Sequence, residues 1–114
     1  MLFRSVPFDF ELIVRSVRKT GRILIVSDAC ERGSWAQTLA VRITRHCFDD
    51  LDAPPAVIGA PNEISPCPEL ERSYYPQPEW ILDAVHTLVL PLDGYTPGMD
   101  FGEAELMRQD CLGI

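Results

Sequence analysis

Long apolar runs are missing from this sequence. Its longest clean aliphatic stretch, Ile23-Leu24-Ile25-Val26, is far shorter than the roughly 20 residues that a membrane-spanning helix requires. Asp9 and Glu11 interrupt the N-terminus before any signal-like core can form. Basic charge is also scarce. Ten Lys and Arg stand against 17 Asp and Glu, a formal net charge of −7. Nucleic acid needs a basic face to displace its counterions, so that partner is excluded, and anionic membranes are disfavoured. A basic protein partner suits the charge. Cys30, Cys47, Cys67 and Cys111 contain no CxxC pair and no metal-ligand spacing, and they read as reduced thiols of a cytoplasmic protein. The phosphate-binding patterns GxxxxGK and GxGxxG are absent, which leaves "ILIVSDACERGS" as an ordinary capped strand-to-helix turn.

What is present reads as one α/β domain. With 114 residues, of which 46% are hydrophobic, the chain suffices for one core and not for two. Asp9 is placed to cap a helix in which Phe10, Ile13, Val14 and Val17 recur at helical spacing, with Gly21 as its stop. Arg22 to Ser27 lacks alternation, the pattern of a strand buried on both faces. Ser34 and Gln37 form a capping box. Ala36, Leu39, Ala40, Ile43 and Cys47 then make an apolar stripe, while Thr38, Arg42 and Arg45 face away. A second strand spans about Pro55 to Gly59, which makes a right-handed βαβ unit.

Residues 61–78 are proline-rich and read as an ordered loop, with Tyr74-Tyr75-Pro76 anchoring it to the core. Pro78 begins a third helix with Ile81, Ala84, Val85 and Leu88 inward. Trp35 and Trp80, near helix starts, read as packing residues. After Pro91 the tail is acidic, with one short helix around Glu103 to Gln109. Two buried parallel strands cannot hide both faces and both edges of a sheet. Either the N-terminal "LFRSV" adds a strand or the chain belongs to a larger fold; both are expected here.

Self-contained catalysis finds little footing. Cys30 lies just past a strand end, yet His46 and His86 fall on other elements and neither is placed beside it; a thiol nucleophile needs a base within reach. The acid cluster in "HCFDDLDAPPAVIG" is the more notable feature. Asp49 and Asp50 read as the last turn of the second helix, where negative charge opposes the macrodipole, and Asp52 follows at once. Asp52 is either a corner residue that bonds nearby backbone N–H groups or part of a surface for a partner.

The order of "VPFD", "IVRSVRKTGRILIVSDA", "RGSWAQTLAVRITRHCFDDLDAPPAVIGAP" and "LERSYYPQPEWILDAV" resembles a known family. It is similar to the C-terminal domain of the beta subunit of thiamine-diphosphate-dependent 2-oxoacid dehydrogenases of the pyruvate, branched-chain and acetoin types, and more distantly to the transketolase C-terminal domain. The resemblance runs from about Ser5 to Leu88, with SVRKTG, FDDLDAP and Leu70-Glu71 before Tyr74 and Pro76 as its most specific pieces. The chain departs from the family pattern at Ser27-Asp28, Thr38 and Glu63-Ile64-Ser65-Pro66.

The resemblance implies a three-layer α/β/α sandwich that lacks the family's first strand and helix, over residues 1–90, followed by an acidic tail over 91–114. It implies a non-catalytic domain or fragment for subunit assembly and for docking to the acyltransferase core. The partners are then the alpha subunit, other beta-subunit domains, a further copy of the chain, and the acyltransferase's basic peripheral-subunit-binding domain. Asp49, Asp50 and Asp52 are the candidate docking residues. Catalytic, cofactor-binding and metal-binding residues are assigned to none of this chain; thiamine diphosphate and magnesium belong to the parent enzyme. The alternatives are a free-standing interaction or regulatory module of the same fold and a small thiol enzyme using Cys30.

Overall fold

The computed structural model describes residues 8–62 and 64–98. The expected "LFRSV" strand, the helix around 103–109 and Cys111 lie outside them.

Helix α1 spans Phe10–Thr20. The Asp9 carboxylate accepts from the Leu12 amide at 3.0 Å, which satisfies one of the amides that a helix start leaves unpaired. At the other end Gly21 takes φ 71° and returns its amide to the Val17 carbonyl at 2.7 Å. Strand β1 (Leu24–Cys30) runs parallel to β2 (Ala56–Ala60), with Ile25 beside Val57 and Val26 beside Ile58. Between them lies α2 (Trp35–Cys47), opened by the Ser34 hydroxyl on the Gln37 amide. The Gln37 side chain reaches back to Gly33, one residue earlier than a standard capping box. The expected βαβ unit is present.

The core lies between the helices and one face of this sheet. Ile13, Val14 and Val17 of α1 meet Ala36, Leu39, Ile43 and Cys47 of α2 over Ile25, with Val57 packed at the edge. Residues alternate along a strand, so Ala56, Ile58 and Ala60 line the opposite face. All three are buried, and α4 (Pro78–Ala84) packs on β2. Gly59 is needed where the strand ends converge, because a Cβ there would meet the Ala29 carbonyl at 2.7 Å. The result is the helix–sheet–helix layering of a partial α/β fold.

Three expectations are corrected. β1 begins and ends later than Arg22 to Ser27, and it is not buried on both faces. Val26 is 45% exposed while Ile25 is 9% exposed; among the described residues a single strand, β2, flanks β1, on one edge. Within the proline-rich loop, Pro68–Leu70 forms a 3₁₀ turn that runs into a one-turn helix, α3 (Glu71–Tyr74). The anchoring role of the tyrosines stands: Tyr74 is buried and meets Tyr75 edge-on at 4.9 Å. Lastly, α4 is short and widens into a π-helical turn over Val85–Val89, in which the Leu90 amide reaches the Val85 carbonyl. Its buried residues are Asp83 and Ala84, whereas Ile81, Val85 and Leu88 are only half-buried.

Candidate functional site: an acidic corner

Helix α2 ends at Cys47, so Asp49 and Asp50 belong to a separate 3₁₀ turn, Phe48–Asp50, and not to its last helical turn. This turn folds against the end of α1. The Asp50 carboxylate pairs with Arg18 Nε at 3.3 Å. The Asp52 amide donates to the Gly21 carbonyl at 2.8 Å, and the Ala56 amide to that of Ile23 at 3.1 Å. The connection before β2 is thereby stitched to the connection before β1.

Gly21 makes this approach possible twice over. Its positive φ favours a residue without Cβ, and an added Cβ would lie 2.8 Å from Asp52 Cγ and 3.3 Å from the Asp50 carbonyl. The corner is held mainly by its main chain. As a corner residue Asp52 is expected to accept from backbone N–H groups; the bond it makes here is instead that of its own amide to Gly21. Asp49, Asp50 and Asp52 are all exposed, as is Phe48 at 73%. Asp49 and Asp50 share the surface turn and Asp52 follows two residues on, with Arg18 as the cation bonded to Asp50.

The other candidate groups are dispersed. The Cys30 thiol donates to Asn62 Oδ1 at 3.2 Å, an amide oxygen that cannot serve as a general base. His46 Nδ1 lies 2.9 Å from the Arg42 carbonyl and its ring abuts Phe10; His86 Nδ1 accepts from the Leu92 amide. Neither imidazole is bonded to Cys30. The Cys67 thiol hydrogen-bonds Glu69 and, with Glu69's own amide, holds that carboxyl below its ordinary range. Trp35 is 57% exposed and meets Phe8 edge-on at 4.9 Å, so it packs along one edge only. The described residues bring together no group of three His, Cys, Asp or Glu able to hold a metal ion such as magnesium. No described helix is long and apolar enough to cross a membrane.

Sequence reasoning missed Asp83. It is 3% exposed and accepts from the Tyr95 hydroxyl and the Gly98 amide. The available signal was indirect: an acidic residue next to Ala84 on the inward side of a helix needs partners.

Residues 2–81 match the family model described as the C-terminal domain of transketolase. Among curated relatives, the chain is 37% identical over 86 residues to the pyruvate dehydrogenase E1 component subunit beta of Porphyra purpurea, covering 73% of this chain and 25% of the relative. It is 31% identical over 84 residues to the 2-oxoisovalerate dehydrogenase subunit beta of Bacillus subtilis, covering 72% and 26%. The beta subunit of that organism's acetoin:2,6-dichlorophenolindophenol oxidoreductase is 37% identical over 84 residues, covering 73% and 25%. The chain thus spans about a quarter of the length of these relatives. Plant and slime-mould relatives are mitochondrial by name. With the family model matched over most of its length, and with the parallel βαβ core that the alignment covers, this chain belongs to the transketolase C-terminal domain family.

Proposed function

We propose that this chain serves as a non-catalytic C-terminal unit of a 2-oxoacid dehydrogenase beta subunit, supporting subunit assembly and docking to the acyltransferase core. The acidic corner carries this reading. Three exposed acids stand within four residues of one another on a corner whose backbone is tied to a neighbouring connection through the Asp52 amide, so a partner meets a backbone that needs little further ordering. On a chain of net charge −7 such a corner attracts a basic surface, and the basic peripheral-subunit-binding domain of the acyltransferase is the proposed occupant.

The alpha subunit and the other beta-subunit domains are the further partners in this reading. Thiamine diphosphate, magnesium and the parent reaction, oxidative decarboxylation with acyl transfer to lipoyl groups, belong to them and not to residues of this chain. Self-association follows from half-exposed Val26 and from a two-stranded sheet whose edges are unpaired among the described residues. A cytoplasmic setting suits the free thiols of Cys30, Cys47 and Cys67. Titration of the chain with the isolated peripheral-subunit-binding domain tests the reading. Saturable binding that weakens as salt rises is expected; no binding at low salt overturns it.

A second reading is a free-standing interaction or regulatory module of the same fold. It is favoured by residues 92–98, which lie beyond the family match yet are bonded to α4 and to the π-helical turn that follows it. Isolation of the native assembly separates the two, because a co-purifying alpha subunit belongs only to the first.

A further inference from the structure

The end of α4 and the segment that follows carry contacts that the acidic corner does not use. Asp83 lies near the end of α4 and His86 in the π-helical turn that follows it. The Tyr95 hydroxyl donates to Asp83 Oδ1, and the Gly98 amide donates to both Asp83 oxygens at 3.2 Å. The Leu92 amide donates to His86 Nδ1 at 2.9 Å, and the His86 and Tyr95 rings lie 5.4 Å apart. The chain leaves the helix through the π-helical turn, whose last carbonyl, Val89, is held by the Arg22 guanidinium at 2.7 Å. It then reverses at Gly94, with φ 72°, to bring Tyr95 over the helix. Residues 92–98 are therefore a strap with two fastenings.

The fastenings respond differently to protons. An imidazole nitrogen accepts an N–H only while it carries no proton, and the doubly protonated ring is a donor at both nitrogens. A carboxylate stays an acceptor well into the acid range. We propose that residues 92–98 form a proton-gated strap, in which His86 releases the Leu92 arm on mild acidification while Asp83 keeps Tyr95 and Gly98 in place. The charged and titratable groups around the latch are Asp83 and Glu79 on α4, Asp93 and Tyr95 on the strap, and Arg22 before β1. Strand β2, which packs on α4, contributes none. Opening frees the arm at Leu92 from the π-helical turn that carries His86.

Amide hydrogen exchange on the intact chain, followed by NMR and corrected for intrinsic rates, tests this. Between about pH 7.5 and about pH 5, the range in which histidines change charge, Leu92 protection should fall about five- to tenfold, the factor one hydrogen bond contributes. Gly98 protection should hold. In His86→Gln the side-chain oxygen accepts at any pH, so Leu92 protection should no longer change. Within the unmodified chain, the His86 ring nitrogen resonances should titrate in step with the Leu92 amide. Leu92 protection independent of pH, the same pH response in His86→Gln, or joint loss at Leu92 and Gly98 overturns the proposal.

Discussion

Asp83 and the corner of Asp49, Asp50 and Asp52 use the same side chain in opposite ways. At the corner, the main chain makes the holding bonds, and the carboxylates stay exposed with one ion pair to Arg18. At Asp83 the carboxylate itself is the fastening, buried and accepting from Tyr95 and Gly98. A carboxylate that organises structure is removed from water and saturated with donors, because burial without them is costly. One that stays exposed contributes little to stability and is available for binding. Number and crowding of acids therefore say less than where the donors are.

The largest expected effect is at Asp83. Asp83→Ala removes a buried carboxylate that accepts from the Tyr95 hydroxyl and the Gly98 amide, and should cost about 1.5–3 kcal/mol by denaturant melt, the range for hydrogen bonds to a charged group. Asp49→Ala, at the exposed corner, should stay within about 0.5 kcal/mol. Equal costs would erase the distinction.

Next is Gly21→Ala. The left-handed backbone and the contact with Asp52 should together cost about 1–2 kcal/mol, read by the same melt. A neutral result would mean that the stitch between the two connections is dispensable.

Removing the ion pair should matter less. Its side chains are about half exposed, 56% for Arg18 and 42% for Asp50, so Arg18→Gln should cost roughly 0.2–1 kcal/mol, shrinking with salt. A larger, salt-independent loss would make Asp50 a structural residue like Asp83.

The smallest effect is electrostatic. Asp83 accepts the Tyr95 phenol hydrogen and, with burial and the charges of Asp83 and Glu79, raises its pKa above the ordinary value. A raised folded value favours the protonated phenol. The contribution is therefore complete below the unfolded pKa of about 10 and is lost as pH climbs through the folded one. Ultraviolet titration should show Tyr95 ionising later than free tyrosine, and Asp83→Asn should move it back; no movement would deny the link.

What could be read from the sequence was what local chemistry dictates. Asp9, Gly21 and Ser34 marked helix ends because each satisfies or relieves specific backbone groups, and the Ala36–Cys47 stripe followed from helical period. The acidic corner was visible as a cluster, but its fastening was not: the Gly21–Asp52 bond joins positions distant in sequence. Val26 resembled Ile25 in composition, and only the sheet's neighbours decide which face is covered. Asp83 was hidden for the opposite reason, since a single acid in a short helix carries no period, and its partners Tyr95 and Gly98 arrive from beyond a π-helical turn.

The most direct test of the account is binding of the peripheral-subunit-binding domain to a chain in which Asp49, Asp50 and Asp52 are all changed to Asn. The account predicts affinity weaker by about tenfold or more and a flatter salt dependence, as expected when several interface charges are removed. Stability should fall by no more than about 1 kcal/mol, the worth of the lost ion pair. Unchanged affinity together with a lower melting temperature would contradict it and make the corner a structural joint alone.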